Sequence, residues 1–172
     1  KEFMQECNIP TAPFVSFDNV ETAKSFVARA QFPLVVKADG LASGKGVYIC
    51  HELPQAIKAL DLIMVDKIYG DAGNDVVIEE FLQGEEVSIF AISDGDYFII
   101  LDSAQDHKKI FDDDLGPNTG GMGAYSPAPM INDELLMKIV ARIIDPAIRG
   151  MKRAGNSYKG VLYAWLMITA SG

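Results

Sequence analysis

The chain has few of the side chains from which metal and thiol sites are built. Its 172 residues include only two cysteines and two histidines. Cys7 and Cys50 form neither a CxxC pair nor a zinc-ligand spacing with His51 and His107. We therefore expect two reduced thiols in a cytoplasmic protein, and no metal site made by these residues.

Long apolar runs and an excess of basic residues are also absent. No apolar run approaches the roughly 18 residues that span a bilayer, and the first residues lack the layout of a signal peptide. A net charge of −9 argues against a general binder of nucleic acids or membrane surfaces. It does not exclude a phosphorylated substrate, because salt screens exposed charges beyond about 8 Å and nearby lysines then outweigh distant acids.

The composition, at 49% hydrophobic and 23% charged residues, is that of a globular protein with a core. The length suits one large domain or two small lobes. Asp18 as N-cap with Glu21 predicts a capping box before a helix at about 19–30. Strands are predicted at 14–17, 34–36 and 47–50, and a second helix at 53–69. This order predicts an α+β lobe with an antiparallel sheet.

The second half begins with two strands, 85–92 and 97–101, joined by a turn. Residues 103–129, rich in glycine and proline, are predicted to form a long functional loop. A helix at about 132–154, kinked or split at Pro146, and an apolar strand at 161–169 follow. We expect lobes at 1–80 and 81–172 linked through residues 74–82. We also expect the natural chain to continue beyond both ends, so that the second lobe is incomplete here.

The segment between the strands at 34–36 and 47–50 combines glycines with lysines, which is typical of a polyphosphate-binding loop. Glycines let backbone N–H groups approach a bulky anion, and lysines supply compensating charge. A P-loop is excluded, because it needs four residues between its first Gly and the Gly-Lys pair, and a helix afterwards. The alternative is an ordinary glycine-rich hairpin turn. The candidate residues are Lys37, Gly40, Ser43, Gly44, Lys45 and Gly46.

A strand at the junction of the two lobes is the second candidate. Glu79, Glu80, Phe81 and Leu82 lie where ligand clefts are common, and their backbone groups can bind the edge of a base such as adenine. Glu86, four residues further on, can accept hydrogen bonds from ribose hydroxyls. The alternatives are an ordinary strand with solvent-facing acids and a surface glutamate.

The long loop holds the densest cluster of polar and glycine residues. Its glycines allow close backbone approach, its asparagine both donates and accepts, and its lysines add charge. The cluster predicts a second anion site, and the alternative is a mobile glycine-rich surface loop. The acidic run 112–114 reads as solvated charge that offsets the lysines. The candidates are Asp106, His107, Lys108, Lys109, Asn118, Thr119, Gly120, Gly121, Met122 and Gly123.

Four motifs, in this order and spacing, resemble the phosphoribosylamine–glycine ligase family of the ATP-grasp superfamily. They are VVKADGLASGKGV, VVIEEFLQGEEVS, AQDHKK and GPNTGGMGAYSPAP, and the resemblance covers practically the whole chain. It implies two α+β lobes with antiparallel sheets that hold ATP between them. It further implies a ligase of purine biosynthesis that phosphorylates glycine and lets the amine of 5-phosphoribosylamine attack the acyl phosphate. Its partners would be these small molecules, and neither nucleic acid nor membrane.

The resemblance also implies roles for individual residues. Lys37 would bind the nucleotide phosphates and residues 40–46 would close over them. Residues 79–82 would hold adenine, and Glu86 the ribose. Lys109 and Asn118 would act in catalysis on the phosphate and substrate side, with the other members of the long-loop cluster binding substrate. The magnesium ligands are expected beyond Gly172, so that this stretch alone would be inactive.

Two positions depart from the family pattern. Lys109 stands where the family usually has arginine, which keeps the charge but loses the bidentate fork. Trp165 stands where the family has a glycine in a YAGLM-type strand, and this changes the local packing. Two other functions stay open on the sequence: an ATP-grasp ligase for another carboxylate or amine, and a nucleotide-binding module without catalysis.

Overall fold

The chain folds into two compact units. The structure, a computed structural model, describes residues 1–42, 45–112 and 115–170, and only the backbone of residues 109, 117 and 118. One unit comprises residues 12–82, and the other comprises residues 1–11 together with 83–172. The lobe boundaries 1–80 and 81–172 stay a prediction.

The unit of residues 12–82 is built on a four-stranded antiparallel sheet. Its strands are β1 (Phe14–Phe17), β2 (Leu34–Ala38), β3 (Val47–Cys50) and β4 (Val76–Glu80), in the order β1-β4-β2-β3. β2 and β3 form the predicted hairpin, with Lys37 opposite Val47. β4 was expected in the segment that links the lobes, but it is an interior strand of this sheet, because its apolar side chains pair between β1 and β2.

Two helices supply the core that covers this sheet. They are α2 (Val20–Val27) and α3 (Leu53–Leu60), and α3 continues through a wider π-type turn at Asp61–Val65. Their apolar stripes pack on alternate residues of β2 and β4, where the side chains are almost fully buried. The central members of this core are Val27, Val36, Leu60, Ile63, Val76 and Ile78.

The N-cap of α2 differs from the sequence-based prediction. Asn19, not Asp18, caps the helix, and its Oδ1 accepts hydrogen bonds from the backbone N–H groups of Glu21 at 2.9 Å and Thr22 at 3.1 Å. Asn19 has the extended backbone typical of an N-cap, so the capping role moves one residue along the chain. The helix also ends at Val27, three residues before the predicted end.

The second unit contains a three-stranded antiparallel sheet. Its strands are β5 (Gly84–Ser93), β6 (Phe98–Ile100) and the last strand (Gly160–Thr169), in the order β6-β5-last. The two long strands pair over their whole length, from Gly84 opposite Thr169 to Ser93 opposite Gly160. Alternate residues of β5, Val87, Ile89 and Ala91, point into the core.

The segment predicted as a long loop at 103–129 is largely a β-hairpin. Its strands are β7 (Gln105–Phe111) and β8 (Leu115–Tyr125), and the last strand of the second sheet is therefore β9. Gln105 pairs with Tyr125 and Lys109 with Asn118, with irregular register between these pairs. The loop prediction was wrong because four glycines in β8 and a charged β7 hide the period-two pattern that identifies a strand.

Helices cover the apolar face of the second sheet. They are α4 (Asp133–Ile139), which continues through a π-type turn at Val140–Ile144, and α5 (Asp145–Arg153). The predicted break at Pro146 is thus a change of helical pitch one residue earlier, with Pro146 in the first turn of α5. Ile139, Ile144 and Ile148 are buried against β5 and β9. Among the described residues, no helix combines the length and apolar character needed to cross a membrane.

The N-terminal helix α1 (Glu2–Glu6) belongs to this second unit and packs on α5 at Gly150. A Cβ atom added at Gly150 would lie 2.3 Å from Cys7 Sγ and 3.0 Å from the Phe3 ring. Only glycine therefore lets the N-terminal segment approach α5 this closely.

We expect Gly150→Ala to destabilise the second unit by about 1–3 kcal/mol, because the new methyl overpacks this contact. The measurement is denaturant unfolding followed by circular dichroism. Cys7→Ala removes the nearest clashing atom, so Gly150→Ala combined with Cys7→Ala should lose less stability than the sum of the two single changes. Additive losses would contradict the assigned contact.

Candidate functional site

The first candidate feature is a lysine held by a buried carboxylate. Lys37 lies on β2 rather than in the loop, and its Nζ is 2.8 Å from Oε1 of Glu79 on the neighbouring strand β4. The two side chains share a sheet face, because Val35 pairs with Glu79 and Lys37 with Val77. Glu79 is only 6% exposed and Lys37 is 32% exposed. A carboxylate this buried needs a cation, so the pair fixes where the ammonium group lies.

Gly40 and Gly46 of the β2–β3 loop are required by packing. A Cβ atom on Gly40 would lie 2.5 Å from Cα of Ala72, and the Gly40 N–H donates to the Ala72 carbonyl at 3.1 Å. A Cβ atom on Gly46 would lie 2.8 Å from Cβ of Ala42. Both glycines therefore shape the loop itself, a role that sequence reasoning did not assign to them. Two further candidates of this loop, Ser43 and Gly44, lie outside the described residues.

Two tyrosines anchor the end of this loop. The Tyr69 hydroxyl donates to the Lys45 carbonyl oxygen at 2.8 Å and lies 2.7 Å from the Tyr48 hydroxyl. Since Tyr69 has a single proton to donate, the Tyr48 hydroxyl is the donor between the two. Burial and this hydrogen bond raise the pKa of Tyr48 to about 12. No motif in the sequence signals this anchor, because the two tyrosines are far apart in the chain.

The predicted adenine-binding segment divides into two parts. Glu79 is paired on both sides, with Phe14 and Val35, and the Glu80 N–H donates to the Pro13 carbonyl at 3.0 Å. These groups belong to the sheet. Phe81 and Leu82 follow the end of β4, and the Phe81 ring lies 6.4 Å from the His51 ring. The residues beyond the strand are therefore the better placed to offer backbone groups to a base.

The second unit brings three predicted site residues together. Lys108 Nζ lies 2.7 Å from Asp106 Oδ2 on the same strand and 3.9 Å from Glu86 Oε2 on β5. The same ammonium lies 4.8 Å from the centroid of the Trp165 ring on β9. Burial lowers the pKa of Lys108, but Asp106 and then Glu86 outweigh it, and the net shift is upward. Glu86, Asp106 and Lys108 thus form one charged cluster under an indole ring.

The β7–β8 hairpin carries the remaining candidates. The Thr119 hydroxyl donates to the Lys108 carbonyl at 2.9 Å and accepts from the Gly121 N–H at 3.0 Å. His107 contacts Tyr125, with ring centroids 5.4 Å apart. Lys109 pairs with Asn118 through the backbone. Met122 is exposed at 61%.

The hairpin glycines differ from those of the β2–β3 loop. A Cβ atom added at Gly120, Gly121 or Gly123 would meet no atom within 4 Å. Packing among the described residues does not require glycine here, although Gly121 has a positive φ of 124° that favours it. The open backbone agrees with close approach of a ligand.

Metal binding has little support among the described residues. No group of three or more His, Cys, Asp or Glu side chains in that part of the chain could hold a metal ion. The described residues therefore do not fit a magnesium site by themselves.

The whole chain, residues 1–172, matches the family model of the phosphoribosylglycinamide synthetase ATP-grasp (A) domain. The chain belongs to this family. It is 49% identical over 172 residues to the phosphoribosylamine–glycine ligase of Leptospira interrogans. That match covers 100% of this chain and 40% of the relative, so the chain spans about two fifths of the length of such proteins.

Solved structures agree with the family assignment. The fold is similar to the crystal structure of phosphoribosylamine–glycine ligase from Thermotoga maritima, with a TM-score of 0.89 and 34% identity over 98% of this chain and 43% of that one. N5-carboxyaminoimidazole ribonucleotide synthetase, solved as an ADP complex, gives a TM-score of 0.69 at 20% identity, over 99% of this chain and 40% of that one. The second likeness shows the fold alone. The predicted α+β class and ATP-grasp fold are confirmed.

The tyrosine anchor predicts a pH dependence of stability. Tyr48 has an ordinary pKa of 10.0, raised to about 12 in the folded protein, so above pH 10 the folded state keeps a proton that the unfolded state releases. The contribution of the protonated Tyr48 hydroxyl to the free energy of unfolding is complete below pH 10.0. It is lost as the pH rises through about 12.

Denaturant unfolding between about pH 9 and 11 tests this expectation. Stability should fall more steeply with pH for the unchanged protein than for Tyr48→Phe, which lacks the titrating hydroxyl. Equal slopes would contradict the shifted pKa. Tyr69→Phe is the matched variant: it leaves Tyr48 in place but should lower its pKa, measured by tyrosinate absorbance.

Proposed function

We propose that the protein containing this chain is a phosphoribosylamine–glycine ligase. In this reaction ATP transfers its γ-phosphoryl group to the carboxylate of glycine, and the amine of 5-phosphoribosylamine attacks the acyl phosphate. The products are glycinamide ribonucleotide, ADP and inorganic phosphate. The observation that carries the proposal is the family match over all 172 residues. A second support is the 34% identity and TM-score of 0.89 to a solved ligase of this name.

The unit of residues 12–82 supplies the residues proposed for the phosphates of ATP. Lys37 provides the main positive charge, and its pairing with Glu79 holds it in place before the nucleotide arrives. A lysine about 4 Å from a phosphate contributes about 4 kcal/mol at an effective dielectric of 20, before desolvation. The loop residues proposed to close over the phosphates are Gly40, Ser43, Gly44, Lys45 and Gly46.

Adenine and ribose are assigned to the end of β4, the residues after it and the start of β5. We assign adenine binding to residues 79–82. Most of the hydrogen bonds to the base are assigned to the backbone of Phe81 and Leu82, which lie beyond the end of β4. Glu86 is the proposed acceptor for the ribose hydroxyls. A carboxylate has about four acceptor positions, so Glu86 can keep its contact with Lys108 and also bind the sugar.

The β7–β8 hairpin is the proposed substrate side. Lys109 and Asn118 are the proposed catalytic residues, paired across the hairpin through their backbones. They would stabilise charge on the transferring phosphoryl group, which is the largest expected catalytic contribution. If magnesium is bound, residues outside the described part of the chain would hold it, and its charge would help to neutralise the phosphates of ATP. The proposed substrate-binding residues are Asp106, His107, Lys108, Asn118, Thr119, Gly120, Gly121, Met122 and Gly123.

The test of the proposed function is phosphate release by the full-length protein. We expect release only when ATP, glycine and phosphoribosylamine are all present, and background rates when any one is left out. Release with another carboxylate or amine, and none with glycine and phosphoribosylamine, would indicate a different ATP-grasp ligase. ATP binding without release under every combination would indicate a binding module.

The assigned role of Lys37 is tested separately by nucleotide affinity. We expect Lys37→Met to raise the dissociation constant of ATP about 10- to 100-fold, because it removes the charge nearest the phosphates. Calorimetric titration of the full-length protein measures this. Lys58→Met is the matched control, since Lys58 is an exposed lysine on α3 of the same unit. An affinity loss no larger than that of the control would overturn the assignment.

A further inference from the structure

The ammonium group of Lys108 is enclosed on several sides. Asp106 lies 2.7 Å away, Glu86 lies 3.9 Å away, and the Trp165 ring centroid lies 4.8 Å away. The Nζ atom itself is buried, and it has no well-directed hydrogen bond to any described residue. The contact with Asp106 is therefore a close ion pair without good hydrogen-bond geometry.

This enclosure changes the role that can be assigned to Lys108. The sequence suggests a lysine that binds a substrate anion, but an anion has to reach the ammonium. In this structure two carboxylates and an aromatic face already surround it. The positive charge of Lys108 therefore acts first on Glu86 and Asp106.

Trp165 is placed over Lys108 by the sheet itself. It lies on β9 directly opposite Ser88 of β5, and Ser88 also pairs through its backbone with Ala104 just before β7. The Ser88 hydroxyl lies 3.2 Å from the Tyr163 hydroxyl. These pairings join β9 and the start of β7 to β5, so Trp165 and the strand that carries Lys108 both lie next to β5.

The indole ring suits this position chemically. Tryptophan has the most favourable aromatic face for a cation, and the attraction strengthens when water is removed from the cation. Trp165 is 50% exposed, so its side chain covers the ammonium without being part of the hydrophobic core. Trp165 is also the only tryptophan among the 172 residues.

We propose that Lys108 and Trp165 are positioning residues for Glu86: the indole covers the Lys108 ammonium, and the covered charge holds the Glu86 carboxylate where it accepts the ribose hydroxyls of ATP. This inference rests on the ribose role assigned to Glu86 under the proposed function. For Lys108 it replaces the substrate contact given under the proposed function, and it leaves this lysine without direct contact with a phosphate.

The test compares ATP with 2′,3′-dideoxy-ATP, which carries the same phosphates but lacks both ribose hydroxyls. Affinities of the full-length protein are measured by calorimetry. Glu86→Gln and Lys108→Met should each weaken ATP binding about five- to tenfold, as expected for a partly exposed charged contact. Both variants should bind dideoxy-ATP as well as the unchanged protein does, because that ligand offers Glu86 nothing to hold.

Substitutions of Trp165 test the covering role. Trp165→Leu should weaken ATP binding about two- to fivefold, the range of a cation–π contact, and again leave dideoxy-ATP unaffected. Trp165→Phe keeps an aromatic face and should restore most of the affinity. Lys138→Met is the charge control, because Lys138 is exposed on α4 of the same unit. Circular dichroism verifies that each variant folds.

The outcomes separate this inference from the function on which it depends. If Glu86→Gln binds ATP normally, the ribose role itself is wrong. If Glu86→Gln weakens ATP but Lys108→Met and Trp165→Leu do not, only the positioning role is overturned. If Lys108→Met weakens ATP and dideoxy-ATP equally, Lys108 acts on the phosphates and the positioning role is also overturned.

Fluorescence provides a measurement that does not depend on nucleotide. The emission spectrum of Trp165 is obtained by subtracting the fluorescence of Trp165→Phe from that of the unchanged protein. The same subtraction is made for Lys108→Met with and without Trp165→Phe. Loss of the ammonium over the ring should shift the emission of Trp165, whereas identical difference spectra would contradict the cation–π contact.

Discussion

A carboxylate that is removed from water must have a cation beside it, and Glu79 imposes this constraint on the first sheet. Its partner, Lys37, comes from the next strand, and the strand register brings the two side chains onto one face. The lysine is therefore fixed by the sheet and not by the loop that follows it. A charge held in place before a ligand arrives loses little entropy on binding, which is the physical basis of preorganisation.

The second unit uses a related arrangement. Lys108 on β7 lies beside Glu86 of β5 and Asp106 of its own strand, with an indole ring on a further side. In a chain with a net charge of −9, an unpaired lysine near acids would be drawn to whichever carboxylate is closest. The two nearby carboxylates and the ring limit that freedom. The cation of the first unit is thus located by strand register, and that of the second unit by the side chains around it.

The sequence predicted the strands and helices that have a local signal, and missed features that depend on three-dimensional contacts. A turn between two strand-like runs identifies β5 and β6, an apolar run identifies β9, and helical spacing identifies α2 and α3. The β7–β8 hairpin was not predicted, because its glycines and charged residues hide the alternation of apolar and polar side chains that identifies a strand. Asn19 and not Asp18 is the N-cap because Asn19 has the extended backbone of a capping residue. Asparagine and aspartate are both good N-caps, so the sequence alone does not distinguish the two positions. The Tyr48–Tyr69 contact joins residues 21 positions apart, and no local pattern records it.

Glycine-rich motifs show most clearly where sequence reasoning stops. In the β2–β3 loop, Gly40 and Gly46 are required by close packing on Ala72 and Ala42, so their presence alone is weak support for a phosphate there. In β8, a side chain at Gly120 or Gly123 would meet open space, so packing among the described residues does not account for glycine. A ligand that approaches the backbone does account for it. Glycine is therefore stronger support for anion binding in the β7–β8 hairpin than in the β2–β3 loop. Near that loop, the support for anion binding comes from Lys37 and its partner Glu79.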